Sequence, residues 1–473
     1  MYFCNGRHEQ IALQDAFNCT VTYKDIKNYC IEFAKLDLPR STVFILADNN
    51  IDSILAFLVS VNNKMVPLLL NANIDNDLLR KYVEIYKPRY IFTAKDNVAI
   101  AVRTEKRFEL KNYELLETKY PTYILNEELA FLLSTSGTTG SPKLVRHSYK
   151  NLVESAKNVA VALNLTENER ALAALPIYFT QGLNVVLSNL YVGATVLISD
   201  FSLMQKEFWQ FLKDYKATSI TGVPYSYEIM LRLGFLNMEL PDLKIVNQGG
   251  GRLNDILFKR IAEYAVKNDK KFIATYGSTE TTSRMCFLDP ELAISKIGSI
   301  GRPIYPGHID LIDNNGKIIN KSDTVGEIVY SGPNVTMGYA NSIGDLYLGD
   351  EKQGKHFTGD MAYYDADGCY FIVGRKGRFV KIYGYRLSLD EIEKILRDIF
   401  KDDFACVGND KKIYIYLENK SLSSDEIIKV ISEKLGLLKT VFEVNYIYKL
   451  PRNSYGKILY KELESRGIKN EAN

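Results

Sequence analysis

Residues 134–143 read Ser-Thr-Ser-Gly-Thr-Thr-Gly-Ser-Pro-Lys, and they directly follow the apolar run 129–133, Leu-Ala-Phe-Leu-Leu. The apolar run reads as a buried strand, so the small polar residues form the loop at its carboxyl end. Without a Cβ, Gly137 and Gly140 let backbone amides approach a polyanion closely. The hydroxyls of Thr135, Ser136, Thr138 and Thr139 donate hydrogen bonds, and Lys143 adds a compact positive charge. Such a loop suits the β- and γ-phosphates of ATP. Gly-Lys-Ser/Thr is missing at the spacing of the common phosphate loop, which excludes the ordinary kinase and ATPase designs. Read alone, a Ser/Thr/Gly cluster is a solvated turn. The strand before this one and the motifs after it argue for the phosphate reading.

Working outward, the pattern alternates strand and helix. Strands are expected at 42–47, 66–70 and 90–93, with a helix over 52–61. The alternation resumes with strands at 194–198, 219–223, 243–246 and 272–275 and helices at 208–215 and 255–266. Apolar strands separated by amphipathic helices predict parallel sheets covered on both faces, with ligands at the loops after the strands. Gly249-Gly250-Gly251 and Tyr276-Gly277-Ser278-Thr279-Glu280 each follow an expected strand. From about residue 307 short strands alternate with turn signals such as Asn315-Gly316 and Asp367-Gly368, predicting a small β-rich barrel or sheet. Beyond Gly374 a basic segment leads into helices over 389–399 and 424–435 and strands at 412–417 and 444–448. That makes a separate α+β domain of roughly 100 residues. The fold class is therefore α/β: a large N-terminal domain of doubly wound sheets plus a β-barrel-like part, then a small α+β C-terminal domain.

Composition narrows the function. The 473 residues carry 59 basic and 57 acidic side chains, a formal net charge of +2. This excludes the strongly basic signature of a nucleic-acid or membrane-surface protein. The six cysteines have no Cys-x-x-Cys spacing and there are four histidines, which argues against structural zinc and for reduced, buried thiols. The start of the chain lacks a secretory pattern. Residues 54–70 are broken by Asn62, Asn63 and Lys64, so they do not span a bilayer as one helix. A cytoplasmic enzyme is expected.

Three further motifs follow the phosphate loop and Tyr276–Glu280: Thr358-Gly359-Asp360, the segment from Gly374-Arg375 through Lys381 to Gly384-Tyr385-Arg386, and Asn453-Ser454-Tyr455-Gly456-Lys457. With these in order over nearly its whole length, the chain resembles the adenylate-forming superfamily of acyl-CoA synthetases, peptide-synthetase adenylation domains and beetle luciferases. The resemblance implies an AMP-binding adenylation domain over 1–376 and a mobile lid over 377–473. It implies attack of a carboxylate on the α-phosphorus of ATP, expulsion of pyrophosphate, and transfer of the acyl group from the acyl-adenylate to a thiol.

The chemistry explains the residue types. Two anions must meet, so stabilisation of phosphoryl oxygens dominates the barrier. Glu280 is a candidate Mg²⁺ ligand, since hard cations take carboxylate oxygens. Thr279 is placed to hydrogen-bond the α-phosphate, Tyr276 offers a flat face to adenine, and Gly249, Gly250 and Gly251 let backbone approach the purine edge. By resemblance, Asp360 and Arg375 hold the ribose, and Lys457 bridges carboxylate and α-phosphate. Gly377 falls where relatives place the hinge residue, often Asp or Lys. Lys381 and Gly384 turn toward the site in the thiol-accepting state.

The substrate pocket departs from relatives in 176–182, Pro-Ile-Tyr-Phe-Thr-Gln-Gly. Phe179 stands where many acyl-CoA synthetases have His. Thr180 is read at the place of the aspartate that pairs with an amino-acid ammonium, and it carries no charge. With Gly182 these residues predict a carboxylic acid without an α-amino group. CoA is the expected acceptor. The phosphopantetheine of an acyl carrier protein and a catalytically inactive nucleotide-binding relative are the alternatives.

Overall fold

The computed structural model describes residues 1–95, 105–134, 143–382, 385–409, 411–453 and 456–470, with backbone alone at Lys381, Tyr385, Arg386 and 466–470. The chain gathers into two compact units, Met1–Ile309 with Tyr330–His356 and Asp310–Val329 with Phe357–Asn473.

The first unit is built on two sheets. One has the order Gly338–Ala340, Leu144–Ser148, Leu129–Ser134, Val66–Asn71, Thr42–Ala47, Tyr90–Ala94, Tyr113–Glu117, Glu105–Glu109. Its middle is parallel, with Thr42 opposite Val66 and Leu68 opposite Leu132. The strand Thr42–Ala47 is buried throughout, which is why its apolar run does not alternate. The helix Ile51–Asn62 is buried from Ile51 to Val61, as a helix with apolar residues on every side must be, with Asp52, Ser53 and Ser60 its buried polar members, and Asn50 caps it by accepting from the Ser53 amide at 2.8 Å. The second sheet runs Arg302–Pro303, Ser283–Phe287, Lys271–Ser278, Ile245–Gln248, Ser219–Gly222, Arg170–Ala173, Thr195–Ile198, Ile11–Asp15, Thr20–Thr22. One apolar cluster joins Val43, Ile45 and Phe131 of the first sheet to Leu13, Val196 and Ile198 of the second.

The strand expected at 243–246 is Ile245–Gln248, two residues later, and two further sequence expectations shift. The strand expected at 272–275 runs on to Ser278, so Tyr276 and Gly277 lie within a strand rather than after one. The cause is the returning strand Ser283–Phe287, which pairs antiparallel with it and carries the ladder past the end of the parallel sheet. The strand expected at 444–448 is Phe442–Tyr446, because its pairing with Ile413–Leu417 starts at Phe442 and ends at Tyr446.

The second unit carries most of the four-stranded sheet His308–Ile312, Gly326–Ser331, Lys355–Tyr364, Tyr370–Arg375, where the β-rich part was expected. After it come the hairpin Phe379–Ile382 with Tyr385–Ser388, and a three-stranded sheet flanked by the helices Leu389–Phe400 and Ser424–Leu435. Among the described residues no helix is long and apolar enough to cross a membrane.

Arg378 ties this unit together. Its guanidinium donates to Asp390 Oδ1 at 2.5 Å, to Glu393 Oε1 at 2.6 Å and to the Cys406 carbonyl at 3.0 Å, and lies 3.6 Å from the ring centre of Tyr460. Glu393 is buried and also accepts from the Cys406 amide and the Tyr460 hydroxyl. Arg378→Met leaves that carboxylate enclosed without its cation and is expected to cost about 3–5 kcal/mol of stability. A urea midpoint measures it. The double variant Arg378→Met/Glu393→Leu should recover most of the loss, and a single variant as stable as the parent would remove the tie.

Candidate active site

The site of the first unit is organised by the hairpin that joins Lys271–Ser278 to Ser283–Phe287. Tyr276 stands opposite Cys286, Gly277 opposite Arg284 and Ser278 opposite Ser283, with a register shift between Tyr276 and Gly277. A Cβ on Gly277 would stand 1.6 Å from the Ser283 carbonyl oxygen, so only glycine permits this approach. The turn between them is the 3₁₀ segment Thr279–Thr281, which carries Glu280. Thr282 and Ser283 follow with φ of 47° and 102°, a left-handed conformation that costs non-glycine residues on the order of 1–3 kcal/mol each.

Buried hydrogen bonds hold the turn in that shape. Asn334 Nδ2 donates to the Thr281 carbonyl at 2.7 Å and the Arg284 carbonyl at 3.2 Å. Thr282 Oγ1 donates to the Asn334 carbonyl at 2.9 Å, and Ser155 Oγ donates to the Thr282 carbonyl. The amide and the hydroxyl of Thr336 both donate to the Glu280 carbonyl at 3.0 Å. His147 Nδ1 lies 3.1 Å from Thr282 Oγ1. Burial pulls this imidazole down to about 3, so it is neutral. The Thr282 hydroxyl has given its only hydrogen to Asn334, so His147 carries its proton on Nδ1 and donates.

Two predicted residues, Glu280 and Lys143, meet at this turn through one that the sequence did not flag. Tyr339 Oη donates to Glu280 Oε1 at 3.0 Å, and Lys143 Nζ lies 3.5 Å from the centre of the same ring. Burial first and the Glu280 charge second raise the Tyr339 phenol, so it stays a protonated donor. Thr180 Oγ1 donates to Thr279 Oγ1 at 3.0 Å, bringing the start of the helix Thr180–Tyr191 to the turn. Phe179, just before that helix, packs edge-on to Tyr178 with ring centres 4.6 Å apart. Gly182 lies against the chain at 175–176, where a Cβ would be 2.2 Å from the Pro176 carbonyl. Gly249, Gly250 and Gly251 follow the strand Ile245–Gln248, and a Cβ on Gly249 would meet Gln181 Nε2 at 2.6 Å and Thr275 Oγ1 at 2.7 Å.

The same strand pair carries two buried groups of opposite character. Cys286 is fully enclosed, and burial pushes its thiol well above the ordinary range. Arg284 is 5% exposed, and burial draws its guanidinium down to about 10.

The second unit by itself sets Asp360 opposite Arg375 in adjacent strands, with Arg375 Nε 2.9 Å from Asp360 Oδ1. Gly377 lies in the short turn Lys376–Arg378, and a Cβ there would meet nothing within 4 Å. Lys457 is exposed on a turn closed by its amide donating to Asn453 Oδ1 at 3.0 Å. Thr135, Ser136, Gly137, Thr138, Thr139, Gly140 and Gly384 lie outside the described residues, as does the side chain of Lys381. Among the described residues no group of three or more His, Cys, Asp or Glu could hold a metal ion. Glu280 offers one carboxylate, which suits a magnesium whose remaining ligands are nucleotide phosphates and water.

The family model for AMP-binding enzymes matches residues 3–340, and the chain belongs to that family. It is an adenylate-forming acid–thiol ligase. The 2-succinylbenzoate–CoA ligase of Oceanobacillus iheyensis is 26% identical over 463 residues, 94% of each chain. That of Geobacillus kaustophilus is 30% identical over 349 residues, 72% of this chain and 69% of the relative. In fold, the o-succinylbenzoate CoA synthetase of Bacillus subtilis, solved with its acyl-adenylate intermediate, matches with a TM-score of 0.79 at 24% identity, over 96% of this chain and 95% of that one.

Tyr339→Phe keeps the ring under Lys143 and removes only the hydroxyl donor to Glu280. A hydrogen bond to a charged group contributes about 1.5–3 kcal/mol, so pyrophosphate exchange should fall about 10- to 100-fold with little change in melting temperature. Tyr339→Leu should fall further. An unchanged Phe variant would mean the phenol does not position Glu280.

Proposed function

We propose that this chain activates a carboxylic acid without an α-amino group, of which 2-succinylbenzoate is the best-supported candidate, and transfers it to CoA in the cytoplasm. The observation that carries the reading is the convergence of Lys143, Tyr339, Glu280, Thr279 and Thr180 on one strained turn. Family membership and the relatives' names support the acid–CoA ligase class.

In the first half-reaction a carboxylate oxygen of the acid attacks the α-phosphorus and pyrophosphate leaves. Thr135, Ser136, Thr138 and Thr139 with Lys143 hold the β- and γ-phosphates, Thr279 orients the α-phosphate, and Glu280, held by Tyr339, is the protein ligand of magnesium. The metal, when bound, neutralises phosphate charge. Tyr276 and the glycines 249–251 receive adenine, and Asp360 with Arg375 the ribose. Lys457 approaches both reacting anions. In the second half-reaction the CoA thiolate attacks the acyl carbon and AMP leaves. A lid over 377–473 turns about Gly377, whose missing side chain serves no packing need in the present conformation, and presents Lys381 and Gly384. All six cysteines are free and five are buried, which supports a reducing compartment.

Lys457→Ala should reduce adenylate formation by ~10² or more, while thioester formation from pre-made acyl-adenylate is largely kept. Equal loss in both steps would contradict a lysine that serves only the first. Thr180 offers only a hydroxyl, so an α-ammonium buried beside it would lose hydration without gaining a counter-charge. Pyrophosphate exchange should therefore favour a carboxylic acid over its α-amino analogue. A preference for the amino member would place an acidic residue in the pocket.

A further inference from the structure

Tyr339 holds a second cation besides Lys143. Lys352 Nζ lies 5.3 Å from the centre of its ring, and Lys143 Nζ lies 3.5 Å from the same point. An aromatic face attracts one cation at such distances, but two on the same ring repel each other. The carboxylates around them are engaged. Glu280 accepts from the Tyr339 hydroxyl, Glu351 from Arg146, and Asp350 from the amides of Lys352 and Gln353 at 2.9 Å.

The convergence is built into the backbone. Lys143 directly precedes the strand Leu144–Ser148, and Arg146 of that strand is fully buried. Its guanidinium donates to the Tyr339 carbonyl at 2.9 Å, the Gly349 carbonyl at 3.2 Å and the Met337 carbonyl at 3.4 Å, and also to the Leu348 carbonyl and the Glu351 carboxylate. Gly338 stands opposite Arg146 with φ of 133°, where a Cβ would be 2.6 Å from Glu351 Oε2. The Glu351 amide donates to the Met337 carbonyl at 2.8 Å. One enclosed guanidinium therefore fixes both the strand of Tyr339 and the turn that ends at half-buried Lys352, against the strand that begins beside Lys143.

Two ammoniums beside a magnesium ligand call for a polyanion, more than the single charge of a carboxylate. In adenylation the new bond joins a carboxylate oxygen to the α-phosphorus. The bond to the bridging oxygen breaks, and its electron pair leaves with pyrophosphate. Charge thus grows on the β- and γ-phosphates, and a cation already placed there lowers the barrier. We propose that Lys352 is a second phosphate-binding lysine of this site, which with Lys143 holds the β- and γ-phosphates and stabilises the departing pyrophosphate. Arg146 is a positioning residue that sets Lys352 in place without touching the nucleotide. The inference rests on the acid–CoA ligase reading and adds a residue to its first half-reaction.

The test compares Lys352→Gln and Lys352→Arg with the parent in the full chain. Acid-dependent pyrophosphate exchange should fall about 10- to 100-fold in Lys352→Gln and recover in part in Lys352→Arg. Calorimetry separates a phosphate contact from a structural role. Pyrophosphate with magnesium should bind Lys352→Gln about tenfold or more weakly, while AMP affinity stays within about twofold. Thioester formation from pre-made acyl-adenylate and CoA should be kept, since pyrophosphate takes no part in it, and the melting temperature should not move. Parental pyrophosphate affinity in Lys352→Gln overturns the proposal, as does an equal weakening of pyrophosphate and AMP or an equal loss in both half-reactions. A parent that shows no exchange with any acid overturns the ligase reading itself, and this proposal with it.

Discussion

The candidate active site of the first unit depends on one backbone approach, Gly277 against the carbonyl of Ser283. Because these strands close so tightly, the chain must reverse within Thr279–Thr282, and it does so through two left-handed residues. That geometry sets the Glu280 carboxylate under Tyr339 and the Thr279 hydroxyl against Thr180. The strain of Thr282 and Ser283 is offset by the hydrogen bonds of Asn334, Ser155, Thr336 and His147, none of which is itself placed on substrate. Backbone strain at a functional turn is stable only where the surroundings over-determine it, as this network does.

The polar groups around the turn divide into two kinds. Asn334, Thr336 and Tyr339 have their hydrogen-bonding needs met within the chain and act on the position of others. Arg284 and Gln181 hold donors that the chain leaves unmet.

Much of the architecture was legible because burial on both faces leaves a plain mark. The run 43–47 is apolar throughout and the helix around 52–61 is apolar but for Asp52, Ser53 and Ser60, and both are enclosed in the first unit. The site was legible one residue at a time. Lys143 and Glu280 stood out by charge within motifs, yet the tyrosine linking them lies 59 residues beyond Glu280 in a stretch with no charge pattern. The Thr180–Thr279 contact spans 99 residues and likewise has no local signal. The extension of the strand to Ser278 was missed because Tyr-Gly-Ser reads as a loop until its antiparallel partner is known. The grouping of 310–329 with 357–473 is similarly a matter of contacts between distant segments, which local turn signals do not encode.

Burial of Cys286 has a chemical consequence for an enzyme of this class. An acyl-adenylate is a mixed anhydride that acylates any accessible thiolate. Cys286 stands in register with Tyr276, the residue proposed to receive adenine, yet it is fully enclosed and its thiol is held protonated. Cys4, Cys30, Cys369 and Cys406 are buried as well. An acyl-adenylate formed here would thus meet a chain in which five of the six thiols are enclosed and Cys19 alone is partly exposed, which limits self-acylation in favour of the incoming acceptor.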